Sequence, residues 1–154
     1  MSEKKRLKIP PPVYMLGCID LVIALDYLFP SLSFYFPHQA MCALGVASIG
    51  IVFVAHAGLS FFIKKTTVNP FKLKDSGTLV TSGFYRVSRN PMYLGMAVII
   101  VSSGLYFGSV LAILPLALFV FIMNSVQIRP EEQALKEIFG GQYTAYTQRV
   151  RRWI

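Results

Sequence analysis

Over 154 residues, 55% are hydrophobic and only 14% charged, against about 25% charged in a typical soluble domain. That composition excludes an ordinary soluble domain of this size and makes lipid the solvent for much of the chain. The formal charge of +8 does not mark a nucleic-acid binder, because its distribution is wrong for one. All fifteen Lys and Arg fall within 4–8, 64–89 and 129–152, the layout of loops and tails on one side of a membrane.

The first twelve residues are basic and end in a Pro-Pro step, a tail that stops where a helix starts. The apolar stretch from Val13 to Phe36 is long enough to cross the hydrocarbon core, and Pro30 breaks or kinks it, so the first span is expected over about 13–29. It reads as a retained anchor and not as a cleaved leader. Asp20 and Asp26 are unusual there. A mid-membrane carboxylate costs about 2.5–3.5 kcal/mol, so Asp20 is expected to face the bundle interior, where it meets another helix or a polar cavity. Asp26 lies near enough to the far end to reach water. Cys18 and Cys42 both sit in apolar runs without metal-ligand spacing and read as small hydrophobes.

A second span is expected over 39–63, with Ala43, Ala47, Ser48, Gly50, Ala57 and Gly58 giving small surfaces for close helix contact. His56 reads as a locally hydrogen-bonded side chain. Residues 64–91 form a polar segment too long for a simple bundle turn, either a short hairpin or an extended loop lying against the membrane. From Met92 to Ile128 the chain carries no charge. Its length nearly suffices for two spans, and the polar, glycine-bearing stretch 102–109 predicts a helical hairpin over about 92–106 and 109–128. After Arg129, Pro130 suits the first turn of a charged, amphipathic helix with Glu131 and Glu132 beside its N-terminus. Gly140-Gly141 interrupts it, and the terminal Arg-Val-Arg-Arg-Trp-Ile reads as an interfacial anchor with arginines turned to headgroups.

The expected fold is therefore all-α: a polytopic membrane bundle of four transmembrane helices with a C-terminal cytoplasmic amphipathic helix, forming a single domain over 1–154. Four passes put both termini, the 64–91 loop and the 129–154 segment on the cytoplasmic side of a membrane, which in a prokaryotic cell is expected to be the inner one. Tyr85, Arg86, Arg89, Asn90 and Tyr93 then lie at the mouth of the third span, and Glu131 and Glu132 return to the same face after the fourth. Such a site can hold a charged small molecule from the cytoplasm and receive a lipid-like partner from the bilayer. The same groups also suit plain headgroup anchoring or the docking of a partner protein.

The stretch "LVTSGFYRVSRNPMYLG", followed by "RPEEQALKEIFGGQYTAYTQRV", resembles the isoprenylcysteine carboxyl methyltransferases and the wider group of membrane methyltransferases that includes phospholipid methyltransferases. The resemblance covers roughly 66–152. It implies a multi-span helical fold, S-adenosylmethionine as cofactor, a lipid-like or prenylated acceptor, membrane lipids as surroundings and no required metal. The family's Arg-His-Pro-x-Tyr is here Arg89-Asn90-Pro91-Met92-Tyr93, and asparagine cannot replace a titrating histidine. The resemblance places Arg89, Asn90 and Tyr93 near the reacting groups. The family's Glu-Glu pair and tyrosine pattern match Glu131, Glu132, Tyr143 and Tyr146, and with Tyr85 and Arg86, chosen for the groups that such a cofactor presents, these are the expected cofactor-binding residues. A carboxylate acceptor enters already ionised and needs no strong base, which suits the asparagine. A phospholipid amine or a small thiol are the alternative acceptors, and a non-enzymatic membrane scaffold is the alternative to an enzyme.

Overall fold

The computed structural model describes residues 9–63 and 78–154, with the side chains of 61–63 left out. The N-terminal tail over 1–8 and most of the polar segment expected at 64–91 lie outside the described residues. The elements described are helical, apart from one isolated antiparallel bridge between Ser33 and Ser109. Helix α1 runs Pro11–Leu28 and α2 runs Gln39–Ile63. A 3-10 turn at Gly83–Arg86 leads to α3, Pro91–Phe107. Next come α4 at Ile113–Ile122, α5 at Arg129–Phe139 and α6 at Gly141–Arg149.

Each apolar helix starts or stops on a readable signal. Proline opens α1 and α3, where the missing amide would be unpaired in any case. Phe29 leaves helical geometry and Pro30 begins a separate 3-10 turn, so the proline ends α1. Gly108 closes α3 in the left-handed region at φ 71°, where a β-carbon would lie 2.0 Å from the Phe34 carbonyl oxygen. Both a side chain and its strain are excluded at that position. Phe34 N–H donates to the Gly108 carbonyl at 2.9 Å, tying the turn after α1 to the turn after α3 at one end of the bundle.

The α2–α3 pair is the tightest seam. A β-carbon on Gly50 would come within 2.7 Å of the Gly95 oxygen, and one on Gly95 within 2.6 Å of the Gly50 oxygen. The two backbones touch, as small residues allow between membrane helices. Farther along, the Ser102 hydroxyl donates to the Ala43 carbonyl at 2.8 Å, and Gln39 Nε2 donates to the Leu105 carbonyl at 2.9 Å. The core lies between α1, α3 and the α4–α5 run, around Cys18, Val22, Met96, Ile100, Phe119 and Met123. Leu16, Leu44, Ile51, Leu114 and Phe121 point outward, the surface lipid would cover.

Three helical stretches are long and apolar enough to cross a membrane: Pro11–Leu28, Gln39–Ser60 and Val110–Phe139, with Pro91–Phe107 a shorter apolar helix. The third stretch corrects the expected stop at residue 128. The chain passes from α4 through a π-helical segment, Met123–Ile128, straight into α5. Pro130 lies in the first turn of α5, as its sequence setting suggests, but no break precedes that turn. A wider turn just before a proline relaxes the demand for the amide that proline lacks. Asp20 is also corrected. Its side chain is exposed on α1 and makes no hydrogen bond among the described residues, so it does not face the bundle interior. The small neighbours of α1 at this level, Cys18 and Val22, take the inward positions. Asp26 accepts a hydrogen bond from the Ser33 hydroxyl just beyond the helix end.

Candidate functional site

The residues that join the loop to α3 meet the first turn of α5 across the end of the apolar core. Ser88, Arg89 and Asn90 immediately precede Pro91, and Tyr93 lies half a turn into α3. Glu131 and Glu132 occupy the first turn of α5. The continuous helix through residue 128 fixes their height, because no loop intervenes to let them drift.

The contacts are short and mostly charge-assisted. The Tyr93 hydroxyl donates to Glu131 Oε1 at 2.6 Å. Arg89 Nη1 lies 3.0 Å from Glu132 Oε1 and 3.5 Å from the Tyr143 hydroxyl. Arg152 grips Glu132 with a two-pronged fork, Nε to Oε1 at 3.1 Å and Nη2 to Oε2 at 2.6 Å. Glu132 is thus held by two guanidinium groups. Arg89 Nε is buried and has no acceptor among the described residues, so in this arrangement one N–H of the cation is not engaged.

Tyr143 and Tyr146 are buried on α6 and pack with Val150, Leu79, Leu135 and Phe139. That packing depends on the reversal at Gly140, whose φ is 49°. Leu135 and Phe139 thereby become the partners of the following helix. The Tyr146 hydroxyl donates to the Tyr85 carbonyl at 2.6 Å, which joins α6 to the 3-10 turn. Burial pushes the phenols of Tyr85, Tyr143 and Tyr146 above the ordinary range. Neighbouring negative or ionisable groups add to this: Tyr146 and Glu131 at Tyr85, Glu132 at Tyr143, and Tyr143 at Tyr146. All three stay neutral donors near neutral pH. The hydrogen bond to Glu132 raises the Arg152 guanidinium further and keeps it charged.

Beside this network lies a groove of about 560 Å³, lined by Arg89, Arg129, Glu132, Gln133, Lys136, Tyr143, Thr144 and Thr147. Three cationic side chains stand there against a single carboxylate that two arginines already engage. The groove therefore favours an anionic group.

Of the residues singled out in the sequence, Tyr85, Arg89, Asn90, Tyr93, Glu131, Glu132, Tyr143 and Tyr146 belong to one connected region. Arg86 does not: it ends the 3-10 turn with its side chain exposed, outside the network. The turn beneath it is fixed instead by Phe84, which stacks on Phe53 at 4.2 Å and against His56 at 4.4 Å. His56 lies over Gly83, whose φ of 63° needs a glycine, and its carbonyl accepts from Ser60 at 2.7 Å.

Sequence reasoning missed Ser88 and misread Arg152. Arg152 is not turned to headgroups: it points inward to Glu132. Trp153 donates its indole N–H to Asn124 Oδ1 at 3.2 Å. A run of arginines beside a tryptophan carries the same local signal whether it lies on lipid or folds inward, so spacing alone could not find this contact. Among the described residues, no three His, Cys, Asp or Glu side chains converge.

A helical membrane protein with a polar, cation-rich site at the end of its apolar core is the class this architecture defines. The phospholipid methyltransferase model matches residues 38–142, and the chain belongs to that family. Protein-S-isoprenylcysteine O-methyltransferase B of Arabidopsis thaliana is 32% identical over 94 residues, covering 61% of this chain and 46% of that protein. A probable protein-S-isoprenylcysteine O-methyltransferase of Oryza sativa subsp. indica is 32% identical over 127 residues, covering 80% of this chain and 64% of that one. An uncharacterized protein of Haemophilus influenzae is 40% identical over 63 residues, 41% of this chain and the whole of that protein. The chain thus spans about half to two thirds of the plant relatives it matches. No solved structure matches it.

Proposed function

We propose that the chain is one membrane methyltransferase-like unit that uses S-adenosylmethionine to methylate a lipid-like acceptor, with an isoprenylcysteine-type carboxylate as the leading acceptor. The observation that carries this reading is the meeting of Arg89, Tyr93, Glu131 and Glu132 where the apolar core ends. Family membership and the names of the plant relatives support it.

The side chains present fit such a cofactor. Arg89, with a buried N–H that lacks an acceptor among the described residues, suits a carboxylate, and Arg129 and Lys136 add positive charge to the groove. Glu131 and Glu132 suit an ammonium or ribose hydroxyls, and Tyr85, Tyr143 and Tyr146 offer rings for an adenine or a sulfonium. Arg86, being exposed, contributes at most a distant charge. The cofactor supplies a methyl group already activated by a positively charged sulfur.

The protein's own task is then alignment and exclusion of water. Arg89 orients an anionic group, and Glu132 with Arg152 holds Arg89 in place. Tyr93 keeps Glu131 turned toward the site through its 2.6 Å bond. A carboxylate acceptor needs no proton removed, and Asn90 could remove none. In this reading four passes, with Pro91–Phe107 as the short third one, put both termini on the cytoplasmic side, where every Lys and Arg gathers. The acceptor's apolar tail stays in the bilayer while its head reaches Arg89.

The decisive experiment titrates purified protein in detergent with S-adenosylhomocysteine, then measures methyl uptake by a prenylcysteine, a phosphatidylethanolamine and a small thiol. Saturable binding and transfer to the prenylcysteine are expected. A well-folded protein without saturable binding overturns the reading, and transfer only to the amine or thiol replaces the acceptor. Tyr93→Phe, which removes a bond to a charged group, should lower turnover on the order of tenfold or more. Unchanged turnover would remove Tyr93 from the site.

A further inference from the structure

The segment Val150–Trp153 is stitched to the loop before α3 by main-chain carbonyls. Arg89 N–H donates to the Arg151 carbonyl at 3.0 Å. The Arg152 carbonyl receives two donors, Ser88 Oγ at 3.3 Å and Asn90 Nδ2 at 3.0 Å, which fills the two lone pairs a carbonyl offers. Ser88 is fully buried, and its hydroxyl oxygen also accepts the Asn90 amide at 3.1 Å. The same Arg152 sends its guanidinium back to Glu132, and Trp153 next to it bonds Asn124. The segment therefore acts as a strap, clamped at its backbone by Ser88 and Asn90 and braced through its side chains against α5 and the π-helical turn.

We infer that Asn90 is a positioning residue: with Ser88 it fixes the Arg152 carbonyl, and so sets the guanidinium that holds Glu132 beside Arg89. Its carboxamide nitrogen is committed to the strap and moves no proton. The requirement at this position is a neutral N–H donor before Pro91. Aspartate has the same shape but no donor when ionised, and it sets a negative charge against a carbonyl oxygen. Histidine retains an N–H. The inference rests on the methyl-transfer reading for its effect on binding, but not for its effect on the strap.

The chain contains one tryptophan, and it lies in the strap, so its fluorescence reports strap docking with or without ligand. The test uses the full chain in detergent, with helicity checked by circular dichroism. N90D should shift the emission to the red and raise acrylamide quenching about twofold. It should weaken S-adenosylhomocysteine binding on the order of tenfold, as expected for a lost hydrogen bond in a charged network. N90H should keep both properties within about twofold, because it restores the donor. R152M should weaken binding about as much but move the emission less than N90D, because the backbone clamp and the Trp153 bond to Asn124 remain. The N90D/R152M pair should bind about as weakly as either single variant, because both cut one linkage.

Weaker binding in N90D with unchanged tryptophan emission would mean that Asn90 touches ligand directly, and would overturn the assignment. A red shift without loss of binding would overturn the link to the site, as would full additivity in the pair. If the wild-type chain binds no S-adenosylhomocysteine, the methyl-transfer reading fails instead. The emission of N90D, N90H and S88A then still decides whether these two side chains hold the strap.

Discussion

Glu132→Gln removes the one negative charge that two arginines share. The side chains of Glu132 and Arg89 are 18% and 15% exposed, whereas Arg152 is 34% exposed. Stripping one partner from a well-buried ion pair costs about 3–5 kcal/mol, and exposed pairs contribute only about 0–1 kcal/mol. The Arg89 contact belongs nearer the first limit and the Arg152 contact nearer the second. Glutamine also retains one acceptor oxygen, which recovers part of the loss. A net destabilisation of about 2 kcal/mol follows, or roughly 4–8 °C in midpoint for a chain of this size. Thermal unfolding of the detergent-solubilised protein, followed by far-ultraviolet circular dichroism, measures it. Arg152→Met should cost less than Glu132→Gln, because it strands no buried cation. A midpoint within about 1 °C of wild type for Glu132→Gln, or a larger loss for Arg152→Met, would refute the ranking of the two contacts by burial.

Two further outcomes are expected. Gly95→Ala places a β-carbon 2.6 Å from the Gly50 oxygen and 2.9 Å from Phe53 Cβ and Val54 Cγ2. The backbone must give way, at about 1–3 kcal/mol, more than alanine's gain of about 1 kcal/mol in helix propensity. A raised thermal midpoint would contradict the close seam. The raised phenols of Tyr85, Tyr143 and Tyr146 predict the alkaline limb of stability. These groups ionise in the unfolded chain near the ordinary value of 10.0 and later in the folded one. Their contribution is complete below that pH and declines as pH rises above it. Denaturant midpoints between neutrality and strongly alkaline pH should therefore fall, and less steeply in a Tyr146→Phe variant.

Much of this arrangement was legible because it follows from solvent. Pro30 and the 102–109 stretch marked where apolar helices stop. The meeting of Arg89 with Glu132 could be anticipated from a hairpin that returns the chain to its starting face. What stayed hidden depends on contacts with no local signature. The unbroken path from α4 into α5 has no such signature, because the wider turn before Pro130 leaves no trace in composition. Asp20 was expected inside because charge avoids lipid, yet Cys18 and Val22 take the inward face and leave it outside. Arg152 resembled an anchor until the reversal at Gly140 and the packing of Tyr143 and Tyr146 carried it over Glu132.

The mutual approach of Gly50 and Gly95 has a bearing on traffic within the bilayer. Where two helix backbones lie in contact, no hydrocarbon chain fits between them, and that flank of the bundle is shut to anything diffusing sideways through the membrane. On the methyl-transfer reading, a greasy acceptor tail comes in along another flank. Entry would then be set partly by two residues that have no side chains at all.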